Sequence, residues 1–140
     1  MGHKQILIVD DEPVLAMGLV EALEQLHQPY QASAVYSGEQ ALERLHHSTP
    51  DLVVTDLGLP GINGLELVRW VRAFYPHMPT ILITAEANDA LEREARACGA
   101  WGFMAKPFDL QRFVEAVGHV LHAPPTGRVA VEQRQAPIQG

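Results

Sequence analysis

At 140 residues the chain is long enough to bury one sizeable core without disulfides or metals. Its 17 Asp and Glu outnumber 10 Lys and Arg, and the net charge of −7 with no basic run argues against a nucleic-acid or anionic-membrane surface. The single cysteine, Cys98, excludes an internal disulfide framework, and no apolar stretch nears the ~20 residues of a membrane span, so a cytoplasmic location is expected.

The first apolar run, residues 6–9 (ILIV), reads as a strand and leads directly into Asp10, Asp11 and Glu12, then Pro13. Adjacent carboxylates repel one another and lose solvation when buried, so something positive is expected beside them. Pro13 suits a first helical turn, and Leu15, Leu19, Ala22, Leu23 and Leu26 recur at helical spacing. A more polar strand follows around residues 31–35. Ser37 with Gln40 then spells a capping box for a helix that carries Ala41, Leu42 and Leu45. The third strand, residues 52–55, runs into Asp56. Gly61 and Gly64 let the next loop bend sharply before a helix with Leu65, Leu67, Val68 and Val71, in which Trp70 is expected to pack. The fourth strand, 80–83, leads to Thr84 and a helix marked by Leu91, Ala95 and Cys98. A weak fifth strand, 102–105, precedes Lys106 and Pro107. Asp109 is the expected N-cap of a last helix with Phe113, Val117, Val120 and Leu121. Residues 123–140, APPTGRVAVEQRQAPIQG, contain three prolines and two glycines but no helical stripe, and read as a flexible tail or the start of a linker. The seven histidines show no zinc spacing and read as surface residues.

Five strand–helix units imply an α/β fold with a parallel sheet, because parallel strands need crossover connections. Strands one, three and four are nearly all apolar and suit the centre, whereas two and five suit the edges. The expected fold is therefore a flavodoxin-like (βα)5 doubly wound sheet of order 2-1-3-4-5, with its site outside the carboxyl ends of the strands. That topology brings Asp10, Asp11, Asp56, Thr84 and Lys106 to one rim. A lysine and a divalent cation answer the repulsion of the acidic run, and hard oxygen ligands suit Mg²⁺.

VDDEP, DLGLPGINGLEL after the third strand, ILITA at the fourth and the KPF of Lys106, Pro107 and Phe108 occur in order. On these motifs, residues 4–122 resemble the receiver domain of two-component response regulators. The resemblance implies that Asp56 accepts a phosphoryl group from a sensor histidine kinase or histidine phosphotransfer protein. It implies that Asp10, Asp11 and Asp56 hold Mg²⁺ with the backbone carbonyl of Gly58, and that Thr84 and Lys106 contact the phosphoryl oxygens. Phe103 falls where the family has its switch aromatic, and a cis bond is implied between Lys106 and Pro107. The expected output face is formed by helix four, strand five and helix five, open to an effector or to a second copy on phosphorylation. The chain would be a signalling domain that catalyses only its own phosphorylation and dephosphorylation. Gly58 is smaller than the side chain often found there, which leaves an acyl phosphate less shielded, with Glu86 the other gate. Phe103 lacks a tyrosine hydroxyl, so its switching must work by burial. A haloacid-dehalogenase-like phosphatase fits less well, since its nucleophile sits on strand one in an Asp-x-Asp pattern, whereas Asp10 here is followed by Asp11 and Glu12. The residues leave the cognate kinase and the output open.

Overall fold

Four of the six residues of β1 (Lys4–Val9) are buried, which a strand achieves only with neighbours on both edges and helices on both faces. A computed structural model describes residues 3–25 and 30–122 of the chain; Leu26 and the segment 123–140 lie outside the described residues. After β1 come α1 (Pro13–Glu24), β2 (Tyr30–Val35), α2 (Gly38–His47), β3 (Leu52–Asp56), α3 (Gly64–Phe74), β4 (Thr80–Thr84), α4 (Asp89–Cys98), β5 (Gly102–Ala105) and α5 (Leu110–Leu121). All four strand pairings are parallel, and the order is β2-β1-β3-β4-β5, as the burial of the apolar runs requires.

Alternation along the strands sends neighbouring side chains to opposite faces. Ile6 and Ile8 pack with Leu19, Leu23, Phe113 and Val117, so α1 and α5 cover one face. Leu7, Val9 and Val53 pack with Ala41, Leu45 and Leu67, while Leu82 meets Val68, Ala95 and Ala100, so α2, α3 and α4 cover the other. None of these helices, among the described residues, is long and apolar enough to cross a membrane.

The caps show where local reading succeeds and where it slips. Pro13 opens α1, and Asp109 accepts the Arg112 N–H at 2.8 Å, as expected. Ser37 accepts the Gln40 N–H at 3.0 Å, but the Gln40 side chain accepts from Tyr36 N–H, not from Ser37, so only half of the expected box forms. The complete box belongs to Asn63 and Glu66 at the start of α3. Trp70 departs from expectation too. The buried positions of α3 are 64, 67, 68 and 71, and residue 70 falls outside that stripe, so Trp70 is 46 % exposed and stacked on Phe74. The six histidines among the described residues are exposed; His27 lies outside them.

Gly61 has φ +72°, the left-handed conformation that glycine adopts without steric cost. Gly64 serves by closeness instead. Its N–H donates to the Leu57 carbonyl at 2.9 Å, and a Cβ there would collide with the Asp56 carbonyl and stand 2.8 Å from Leu57 Cα. Backbone cannot give way as a flexible side chain can, so Gly64→Ala is expected to cost about 2–4 kcal/mol, read as a lowered denaturant midpoint at unchanged m-value.

Candidate functional site

The rim at the carboxyl ends of β1, β3, β4 and β5 gathers the residues singled out from the sequence. Asp10 follows β1; its N–H donates to the Val35 carbonyl at 3.1 Å, and its Oδ1 accepts the Glu12 N–H at 2.9 Å. The residue is 3 % exposed, whereas the next, Asp11, is exposed. Asp56 ends β3, and its Oδ2 accepts the Gly58 N–H at 3.2 Å. One carboxylate oxygen from each of Asp10, Asp11 and Asp56 lies within 4.8 Å of the others.

The positive partner is Lys106. Its Nζ is 3.0 Å from Asp56 Oδ1 and 3.6 Å from Asp10 Oδ2. Its backbone is fixed by an N–H bond to the Thr84 carbonyl at 2.8 Å and by a cis peptide bond to Pro107. Burial raises the Asp10 carboxyl above its ordinary value, outweighing the Glu12 N–H and the Lys106 ammonium that lower it. Burial pulls Lys106 down, but the Asp56 hydrogen bond and the Asp10 carboxylate outweigh it, and the ammonium is held above its ordinary value. A lysine fixed as a cation thus faces acids that one positive charge does not balance. An all-oxygen donor set that is still short of positive charge, with Asp11 open to water, fits Mg²⁺, which takes few carboxylates and keeps several waters.

Thr84 ends β4 and is 3 % exposed, with its Oγ1 accepting the Glu86 N–H at 3.0 Å. No sequence signal marks that bond, because it arises from the turn after the strand. Phe103 stands apart from the acidic cluster. It is half-buried against Val68, Leu82, Ala95 and Ala100, opposite Leu82 in the sheet register. Gly58 is exposed, and a Cβ there would meet Asp56 Oδ2 at an ordinary 3.6 Å, so the position could carry the side chain it lacks.

Comparison with known proteins agrees with this arrangement. The family model described as the response regulator receiver domain matches residues 6–118. The chain belongs to this family. As a receiver domain it is 34 % identical over 128 residues, 91 % of its length, to the transcriptional activator protein ExaE of Pseudomonas putida. It is 36 % identical over 121 residues, 86 % of its length, to the response regulator ArlR of Staphylococcus aureus. The chain spans 58 % and 54 % of those two relatives. A solved two-component response regulator of the LuxR family, from an Aurantimonas species, shares the fold with a TM-score of 0.80 at 27 % identity over 94 % of each chain. The receiver domain of two-component signalling is thus both the sequence family and the flavodoxin-like architecture of this chain.

Proposed function

We propose that this receiver domain, taken as residues 4–122, accepts one phosphoryl group on Asp56 from the phosphohistidine of a sensor histidine kinase or a histidine phosphotransfer protein. The observation that carries the proposal is Lys106, bonded to Asp56 at 3.0 Å within a cluster of three carboxylates. In the reaction an Asp56 carboxylate oxygen attacks phosphorus, the P–N bond breaks, and the imidazole leaves with the electron pair and takes up a proton. Such a transfer needs positioning and neutralised charge more than it needs covalent help. The Gly58 N–H and the Lys106 ammonium orient the Asp56 carboxylate, and Lys106 is placed to follow charge onto the phosphoryl oxygens. Mg²⁺ held by Asp10, Asp11, Asp56 and the Gly58 carbonyl would supply further neutralisation of phosphoryl charge. In this reading the domain is not a turnover enzyme; it catalyses only its own phosphorylation and dephosphorylation, in the cytoplasm. Val14 in the first turn of α1 and Leu110 in that of α5 are apolar and exposed, and a donor protein reaching the rim would cover them.

The Thr84 hydroxyl accepts from Glu86 N–H but keeps its own proton, which it can donate to a phosphoryl oxygen. A hydroxyl drawn that way moves the start of the β4–α4 connection. Phe103 borders a cavity of about 540 Å³ on the α4, β5 and α5 face, with Glu92, Met104 and Arg112 among its walls. Turning Phe103 inward by burial would reshape that face for an effector or for a second copy. Thr84→Ala is expected to leave Asp56 able to take up phosphoryl while removing the change in hydrogen exchange that phosphorylation brings to α4 and β5. A coupling of ~1–3 kcal/mol sets the expected size at about 5- to 150-fold. An undiminished exchange response in Thr84→Ala or Phe103→Ala would count against this face.

Incubation with a small acyl phosphate and Mg²⁺ tests the central claim. The intact mass should rise by one phosphoryl group, and the adduct should be labile to hydroxylamine as an acyl phosphate is. No addition, or addition that persists in chelator, would overturn it.

A further inference from the structure

The loop from Leu57 to Asn63 carries Gly58, so its shape sets where the Gly58 backbone stands beside Asp56. Its two ends are tied to the frame. Leu57 N–H donates to the Ile83 carbonyl at 2.8 Å, Gly64 N–H donates to the Leu57 carbonyl at 2.9 Å, and Asn63 is locked into the capping box of α3. The buried side chain of Leu59 adds an apolar anchor. Past Leu59 a different element takes hold. Glu39, in the first turn of α2, accepts the Ile62 N–H at 3.2 Å with its Oε2. Among the described residues, Glu66 of α3 and Glu39 are the helix side chains that bond this loop, and Glu66 caps its own helix.

Two glycines let α2 come this close. A Cβ on Gly61 would stand 2.6 Å from Glu39 Oε2, so the carboxylate lies against that backbone. A Cβ on Gly38, the residue before Glu39, would stand 2.7 Å from the Ile62 carbonyl oxygen and 2.8 Å from the Ile62 Cβ. The first turn of α2 therefore meets the loop at a range that only glycine permits. An acidic residue already suits a helix N-terminus, where negative charge is favoured. That accounts for the charge of Glu39 but not for its direction, since the helix dipole asks for no bond to a neighbouring loop.

We propose that Glu39 is a positioning residue for the phosphoacceptor site. By holding Ile62 it fixes the β3–α3 loop, and with it the Gly58 backbone that orients Asp56 and would face Mg²⁺. The inference rests on the reading of Asp56 and its cation given above. Only Leu59, Pro60 and Gly61 separate Ile62 from Gly58. Glycine at both Gly58 and Gly61 gives this stretch more freedom to lose on ordering than other residues would, so an added tie matters more here. Gly58 itself is exposed, and its N–H reaches Asp56 Oδ2 at 3.2 Å, so its place is set from the anchors on either side. Glu39 supplies the polar one.

Glu39→Ala and Glu39→Gln, each in the full chain, test the proposal, because glutamine keeps a carbonyl oxygen for the Ile62 N–H and loses the charge. In chelator, exchange of the Gly58 amide read by NMR should be severalfold faster in Glu39→Ala than in the natural chain, and close to natural in Glu39→Gln. Calorimetric Mg²⁺ affinity should fall about 3- to 10-fold in Glu39→Ala, the scale of one net hydrogen bond, and stay within about twofold in Glu39→Gln. Phosphoryl uptake from a small acyl phosphate should show the Glu39→Ala deficit at limiting Mg²⁺ and recover at saturating Mg²⁺. A deficit that persists at saturation would overturn the proposal in favour of a general effect on the fold. Natural Mg²⁺ affinity and natural Gly58 exchange in Glu39→Ala would overturn it outright. Equal losses in both variants would overturn it in favour of the carboxylate's charge acting through space. Each of these results leaves Asp56 standing as the phosphoacceptor. A natural chain that binds no Mg²⁺ and takes up no phosphoryl group would overturn that reading and this inference together.

Discussion

Replacing Asp56 with asparagine is expected to reduce phosphoryl uptake from a small acyl phosphate at least ~10³-fold, a loss of about 4 kcal/mol of transition-state stabilisation. The carboxylate is the attacking group, and an amide oxygen neither carries the charge nor yields a stable acyl phosphate. Asp10 and Asp11 lie in the same cluster but are not expected to substitute. Asp10 is buried, and its Oδ1 is occupied by the Glu12 N–H. Asp11 makes none of the contacts with Lys106 that orient Asp56. Asparagine can still accept the Gly58 N–H, so circular dichroism and the unfolding midpoint should show an intact fold. Uptake by Asp56→Asn at the rate of the natural chain would refute the assignment, as would a mass increase located at Asp10 or Asp11.

The second large effect concerns stability. In chelator, Asp10→Asn is expected to raise stability at neutral pH by on the order of 1 kcal/mol, a typical single-residue magnitude. For a domain of this size that shifts Tm by ~4 °C. The reason is the sign of the Asp10 shift. Burial raises its folded carboxyl above the value of 3.8 for the free side chain, so the folded state binds the proton more tightly than the unfolded chain does. Stability from this group is then greatest below 3.8 and falls as pH rises from there through the folded pKa. Above that window the protein holds a buried negative charge at a net cost. Asparagine removes the charge, keeps an oxygen for the Glu12 N–H, and leaves Lys106 bonded to Asp56. The gain should shrink toward pH 4, where Asp10 of the natural chain is increasingly protonated. Mg²⁺ should stabilise the natural chain more than Asp10→Asn, since neutralising the cluster relieves the same repulsion. A variant less stable than the natural chain at pH 7 in chelator, or a gain that does not vary with pH, would show that desolvation does not dominate at this site.

The acid cluster shows how far a linear reading reaches. Asp10 and Asp11 are adjacent in sequence, and the apolar run before them announces a buried strand, so their position at a strand end could be read directly. Asp56, Thr84 and Lys106 follow later apolar runs in the same way, and the rule that parallel sheets place ligands at the carboxyl ends puts all five on one rim. The polar side chains of β2, Gln31 and Ser33, also suit an edge strand, whereas β5 is short and carries no polar side chain at all. The half-formed box at Ser37 and the full one at Asn63 mark a limit. Residue types show that a cap is available, but which backbone N–H the reciprocal side chain reaches depends on how the chain enters the helix.

Hydrophobic periodicity and strand-end position are one-dimensional properties, and they suffice for the order of strands and helices, the faces they bury and the set of groups at the rim. Which of those groups pair is a property of the folded chain. Lys106 lies 50 residues from Asp56 in the chain but 3.0 Å away in space, and Asp10 is buried while its neighbour Asp11 is exposed. Trp70 likewise sits in an apolar helix yet faces outward, since a rotation of the helical stripe by one position exchanges core for surface. Charge pairing, desolvation and surface exposure depend on distances between segments remote in sequence, and those distances exist only once β1, β3, β4 and β5 stand side by side.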